Sequence, residues 1–180
     1  MKTVVIFSHP NLDASVANKT IIDILKQSGS DIEVRYLDAL YPNYNIDVEA
    51  EQNALLTADV VVFQHPLYWY STPPIFKLWI DKVLTYGFAY GETGDKLKGK
   101  KLIHSFTTGG PAEAYAPSGY NNFTLEQLVL PIRQTANLVQ LDYVKMLSSS
   151  GIMALGTSEN VVKQSTDHAH QLLAAIKELA

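Results

Sequence analysis

Residues 59–83 read DVVVFQHPLYWYSTPPIFKLWIDKV. The first six residues are a short apolar run rich in valine, as in a strand covered on both faces. After Ser71 and Thr72, the spacing of Phe76, Trp79, Ile80 and Val83 places apolar side chains on one face of a helix. Pro73 or Pro74 is suited to the first helical position, where its missing N–H leaves nothing unpaired. Between strand and helix lie Pro66, Leu67, Tyr68, Trp69 and Tyr70. Three consecutive large aromatic residues cannot all point into a core. A proline-stiffened aromatic loop suits a flat conjugated ligand, or packing against a neighbouring subunit.

The same alternation recurs along the chain. TVVIF (3–7), IEVRYL (32–37), DVVVFQ (59–64), KLIHSF (101–106) and VQLDYVKML (139–147) read as strands. Helical spacing appears at Ala17, Ile21, Ile24 and Leu25, at Leu125, Leu128, Val129 and Ile132, and at Val162, Ala169, Leu172, Leu173 and Ile176. A weaker helix covers about 48–57. Strands alternating with helices predict one doubly wound α/β sandwich over residues 1–180, with a parallel five-stranded sheet in the order 2-1-3-4-5. Ligands of such sheets bind beyond the carboxyl ends of strands 1, 3 and 4.

Composition narrows the functions. The chain has 180 residues, 47% apolar, with 14 basic and 18 acidic residues and a net charge of −4. That balance argues against nucleic acid or an anionic membrane as the main partner. The absence of cysteine removes disulfide, thiolate and iron–sulfur chemistry, and fits a cytoplasmic location. No apolar stretch approaches the roughly 20 residues of a membrane span. His168 and His170 are two apart in a helix and face different ways, and His104 reads as a core residue of its strand, so no metal site is expected.

SHPNLDASVAN (8–18) lacks the glycines of a dinucleotide or P-loop turn, but its hydroxyl and amide groups precede a helix. Ser15 is a candidate N-cap, and the helix start a candidate anion site; an ordinary cap with an Asx turn at Asn11 reads the residues equally well. His9 could donate to a phosphate or satisfy the loop backbone. In FTTGGPAEAYAPSGYNN (106–122), Thr107, Thr108, Gly109 and Gly110 permit close approach of a ligand, and Tyr115 is a candidate proton donor or a surface ring. The glycine-rich stretch 87–101 reads as a long excursion, functional or mobile.

Taken together, SHPNLDASVAN, HPLYWYSTPPIFKLWIDKVLTYGFAY (65–90) and FTTGGPAEAYAPSGY (106–120) resemble the flavodoxin-like NAD(P)H:quinone oxidoreductases of the DT-diaphorase type. The short bacterial members, among them ancillary oxidoreductases of glutathione-gated potassium-efflux systems, are the most similar. The resemblance implies a flavodoxin-like three-layer sandwich and a homodimer. FMN is favoured over FAD because a C-terminal extension is lacking. NAD(P)H is the implied co-substrate and a quinone-like molecule the acceptor, with a potassium-efflux transporter, and through it the inner membrane, as a further partner. It assigns His9, Ser15, Ala17 and Asn18 to the flavin phosphate side, Pro66, Leu67, Tyr68 and Trp69 to the isoalloxazine, and Thr107, Thr108, Gly109 and Gly110 to its polar edge. Tyr115 matches a family tyrosine that stabilises charge during hydride transfer. The histidine that partners it in vertebrate enzymes is Asn121 here, which can only orient the phenol. Competing readings are a regulatory redox subunit of the transporter and a non-enzymic flavodoxin-type electron carrier.

Overall fold

The computed structural model describes residues 1–154 and 156–179. Five parallel strands, β1 (Thr3–Phe7), β2 (Ile32–Tyr36), β3 (Val60–Pro66), β4 (Lys101–Thr107) and β5 (Asp142–Ser149), form one sheet in the order β2-β1-β3-β4-β5. The helices are α1 (Val16–Gln27), α2 (Leu37–Leu40), α3 (Val48–Thr57), α4 (Pro74–Val83), α5 (Leu125–Leu128), α6 (Leu130–Leu138) and α7 (Ser158–Lys177). Short 3₁₀ turns sit at Leu12–Ala14, Ala112–Ala114 and Ile152–Ala154.

Two cores flank the sheet because side chains alternate along a strand. Val5, Phe7, Val60, Val62 and Ile103 face Ile21, Ile22 and Leu25 of α1 and Ala169, Leu172 and Ile176 of α7. Val4, Ile6, Val61, Phe63 and Leu102 face α3, α4 and α6. Phe63 meets Phe76 and Trp79 edge-on, with centroids 5.2 and 6.0 Å apart. This is the three-layer α/β sandwich that the alternation of strand and helix predicts. α3 is held by a buried carboxylate: Glu51 accepts from Arg35, Tyr41 and the Trp79 indole N–H. Isolated burial of that charge would be unfavourable, and three donors offset it.

Three local expectations change. The helix predicted through Leu125, Leu128, Val129 and Ile132 is two helices, broken at Val129 (φ −94°, ψ 5°). Pro131 lacks an N–H and its ring would crowd the carbonyl four residues back. On α7, Val161 rather than Val162 turns inward, because Ser165 and His168 occupy the buried face with it. The 87–101 excursion is packed: Ala89 and Leu97 are fully buried, and Gly99 N–H bonds to the Gln140 carbonyl. No helix among the described residues is long and apolar enough to cross a membrane.

Candidate functional site

The carboxyl ends of β1, β3 and β4 carry the three loops singled out above. At β1, Ser15 caps α1: its Oγ accepts the Asn18 backbone N–H at 3.3 Å. The N–H groups of Val16 and Ala17, in the first turn, have no acceptor within the helix. Asn11 caps the 3₁₀ turn at Leu12–Ala14 instead of forming an Asx turn: its Oδ1 accepts from Ala14 N–H, three residues on. His9 Nδ1 accepts from Asn11 N–H at 3.1 Å, and burial lowers the imidazole pKa, so the neutral ring carries its proton on Nε2. His9, Ser15, Val16, Ala17, Ile152 and Val161 are among the residues enclosing a cleft of about 310 Å³. Hydroxyl, imidazole and two open amides form a donor-only set, fitted to an anion.

The aromatic loop at β3 is a two-residue hairpin. Tyr68 and Ser71 exchange both backbone hydrogen bonds, at 2.8 and 3.0 Å. Trp69 (φ 45°) and Tyr70 (φ 63°) both adopt the left-handed conformation that such a turn requires and that bulky residues resist. Trp69 is 87% exposed. The stem of the hairpin is fixed from below. The Pro66 carbonyl can only accept, so His65 donates to it from Nδ1 at 2.8 Å. His65 Nε2 then accepts from His104 Nε2–H at 2.9 Å, and His104 Nδ1 accepts from the Tyr143 hydroxyl at 3.2 Å. Burial pushes the His65 pKa down to about 4 and that of His104 well down, which keeps the pair neutral and this order of donors intact. His104 is thus a satisfied core residue, as its position inside a strand predicts.

Beyond β4, Gly109 and Gly110 run beside the hairpin. A Cβ on Gly110 would stand 3.1 Å from the hydroxyls of both Tyr115 and Tyr120. Backbone bonds from Gly151 to Gly110, Ile152 to Thr108 and Met153 to Gly109 pin the loop after β5 to this turn. Leu67, Tyr68, Trp69, Tyr70, Gly109, Gly110, Tyr115, Tyr120, Asn121 and Met153 enclose a cleft of about 360 Å³. It adjoins the first cleft through the consecutive residues Ile152 and Met153.

The backbone donors that face this cleft differ from those the motif suggests. Leu67 N–H is committed to the Thr107 carbonyl at 2.7 Å, and Tyr68 N–H to Ser71. Among the described residues, the N–H groups of Trp69, Tyr70, Gly109 and Gly110 donate to no protein acceptor. Thr108 spends its hydroxyl on the Gly110 carbonyl and shapes the turn from within. Asn18, 2% exposed, turns its amide inward onto Thr107 and Gln64. Asn121 does not bond Tyr115: its Oδ1 accepts the Tyr70 hydroxyl at 3.0 Å across the cleft, while its backbone N–H holds the Ala114 carbonyl. Tyr70 lines the cleft as the aromatic loop predicts, whereas Tyr120, Ile152 and Met153 are lining residues that the sequence does not single out. Tyr70 and Tyr120 stood inside quoted motifs, whereas nothing local marks Ile152 or Met153. Among the described residues, no cluster of three His, Asp or Glu is placed to hold a metal ion.

Comparison with known proteins identifies the fold family. The family profile described as the flavodoxin-like fold matches residues 1–174. The chain is 43% identical over 175 residues to the uncharacterized NAD(P)H oxidoreductase YrkL of Bacillus subtilis, covering 97% of this chain and 99% of YrkL. Among solved structures, it is similar to general stress protein 14 of Treponema denticola in complex with FMN, with a TM-score of 0.91 and 35% identity over the whole of both chains. It also resembles an NADPH-quinone reductase from P. pentosaceus, with a TM-score of 0.80, 28% identity, and coverage of 94% and 98%.

Proposed function

The chain belongs to the flavodoxin-like fold family, and from that premise we propose that it is a flavin-dependent NAD(P)H oxidoreductase that passes hydride through FMN to a quinone or similar flat acceptor. One observation carries the reading. Four uncommitted backbone N–H groups and a set of aromatic walls share one cleft, and the donor-only start of α1 shares the next. The residues present fit the cofactor. A phosphate matches Ser15, His9 Nε2–H and the amides of Val16 and Ala17. A conjugated ring edge rich in acceptors matches Trp69, Tyr70, Gly109 and Gly110. Residues 1–180 act together as one flavin-binding unit.

FMN when bound supplies the hydride chemistry, and the protein supplies position and electrostatics. Tyr68, Trp69 and Tyr120 wall the larger cleft. The glycines at 109 and 110 let the turn approach Met153 and the two phenols closely, where a Cβ would crowd them. The Tyr115 hydroxyl, 3.1 Å from where a Gly110 Cβ would stand, holds a proton toward charge that develops in the cleft. Asn121 orients Tyr70 in place of Tyr115.

The protein acts as a homodimer. Trp69 at 87% exposure and Tyr120 at 72% stand on the rim of the cleft, and a second copy laid over them would bury both and close the site. The resemblance to ancillary oxidoreductases of potassium-efflux systems extends the proposal to a transporter as partner, with redox activity retained.

The decisive experiment is anaerobic. Purified protein is expected to show a flavin absorption spectrum, to release FMN on denaturation, to bleach when NADPH is added and to recover when a quinone follows. A spectrum that does not change with either nicotinamide would leave an electron carrier and remove the enzyme.

A further inference from the structure

Beneath the cofactor loops runs a chain of buried polar side chains that the proposed function does not use. His168 on α7 is 3% exposed, with Nδ1 2.8 Å from Ser149 Oγ and Nε2 2.7 Å from Ser105 Oγ. Ser105 Oγ donates to Gln64 Oε1 at 2.5 Å, and Gln64 Nε2 donates to Asn18 Oδ1 at 3.1 Å. Asn18 Nδ2 reaches Thr107 Oγ1 at 3.1 Å and Ser15 Oγ at 3.3 Å. The chain therefore crosses from α7 and β5 through β4 and β3 to the first turn of α1.

Its direction follows from counting protons. As placed, both Asn18 amide protons reach a hydroxyl oxygen. Turned over, the Asn18 NH₂ would face Gln64 and the Gln64 NH₂ would face Ser105, each with two protons and one acceptor, leaving two buried protons unpaired where the present sense leaves one, on Gln64. Gln64 must then donate to Asn18 and accept from Ser105. Ser105 must accept from His168 Nε2–H, and His168, kept neutral by burial, accepts the Ser149 proton at Nδ1. At the far end, Ser15 Oγ receives two donors, the Asn18 amide and the Asn18 backbone N–H. Both its lone pairs are used. Thr107 Oγ1 receives one. Among the described residues, neither hydroxyl donates to a protein acceptor, and the Ser15 proton is left for whatever occupies the smaller cleft, with Thr107 buried behind it. Ser15 lines the smaller cleft, where His9 Nε2–H and the first-turn amides are donors too.

We propose that Gln64, Ser105 and His168 are positioning residues that set the hydrogen-bond sense of the cofactor site. They hold Asn18 so that the hydroxyls of Ser15 and Thr107 act only as donors. The site thereby selects a ligand that presents several acceptors and no proton at the start of α1: a phosphate ester rather than a free hydroxyl. The inference rests on the FMN reading above and assigns the buried residues that enforce its phosphate preference.

The test is a fluorescence-quenching titration of flavin-free protein with FMN and with riboflavin, which differ only in that phosphate. Wild type is expected to favour FMN. Gln64→Met keeps the volume but removes the donor to Asn18 Oδ1, which frees Asn18 to turn over and draw the two hydroxyl protons inward. The preference for FMN should fall by about tenfold, the worth of one hydrogen bond to a charged group, while riboflavin affinity holds. Should that variant fail to fold, Ser105→Ala and Ser105→Thr make the same test: alanine should lower the preference and threonine should keep it. Equal FMN preference in wild type, Gln64→Met and Ser105→Ala would overturn the proposal. So would a parallel loss of both flavins, which marks a collapsed site. Wild type that binds neither flavin would overturn the flavin reading itself, a result distinct from either.

Discussion

A methyl group on Gly110 would stand 3.1 Å from the hydroxyl oxygens of Tyr115 and Tyr120, so the absence of a side chain there keeps the larger cleft open. Gly110→Val is expected to fold and to be purified with little flavin, measured as the ratio of flavin to protein absorbance. Tyr115 tests the chemistry of the same corner. Tyr115→Phe should keep fold and flavin and slow reduction by NADPH in stopped flow by roughly ten- to a few hundred-fold, at or below the usual loss of one oxyanion-type donor. An unchanged rate would make Tyr115 a wall and nothing more. Asn121→Ala should cost less, because it releases the Tyr70 hydroxyl and leaves the Tyr115 proton in place. Tyr115 is a candidate in the sequence because it matches a family tyrosine in a loop framed by glycine and proline. The partner of Asn121 is not, because the contact spans residues 70 and 121, two loops that only the sheet brings side by side.

The hairpin at 68–71 sets two consecutive bulky residues at positive φ. Trp69 and Tyr70 occupy positions where Asn-Gly is the preferred pair, each at about 1–2 kcal/mol above a residue that tolerates positive φ. Strain of this kind is held where function needs it. Replacing Trp69 by Asn and Tyr70 by Gly should raise stability by about 1–3 kcal/mol in chemical denaturation, since relief of two strained positions outweighs the half-buried Tyr70 ring and its exposed hydroxyl bond to Asn121, and Trp69 is largely exposed. The same double variant should lose most of its NAD(P)H–quinone turnover. If stability falls instead, the rings carry more packing than their exposure implies. Sequence revealed the element by its prolines and adjacent aromatics. It did not reveal the turn, because nothing in Trp-Tyr signals a left-handed pair; the two cross-strand bonds between Tyr68 and Ser71 impose it.

Three buried histidines, His65, His104 and His168, tie the strands and α7 to one another and make the assembled sandwich sensitive to acid. Burial lowers His65 and His168 from 6.5 to about 4, and lowers His104 too. Between those values the unfolded chain binds protons that the folded chain refuses, so stability is lost as pH falls through that window. Each histidine adds a slope of about 1.4 kcal/mol per pH unit there. Melting temperature should drop steeply from pH 6.5 to pH 4, and His168→Gln should make the curve shallower by one such increment. An unaltered slope would mean that His168 opens to solvent before it is protonated. The dimer is tested by sedimentation at micromolar concentration. Wild type should run at twice the chain mass of 19.9 kDa, and Trp69→Glu should shift it toward monomer by setting a charge in the covered patch.

What could be read along the chain is whatever repeats at short range. Valine-rich runs and 3.6-residue spacing yield the strands and most helices; the order β2-β1-β3-β4-β5 is one that the handedness of crossovers permits and that the family resemblance implies. The loops at 8–18, 65–74 and 106–122 are legible because a proline, a glycine pair or a capping serine changes the local backbone. Folding had to bring Ile152 and Met153 under the cleft, turn Asn18 inward, and join His65 to His104 and Ser105 to His168. Those contacts link residues 39 to 63 positions apart, and a side chain's hydrogen-bond partner depends on which neighbour the packed sheet supplies, a distance that no local pattern encodes.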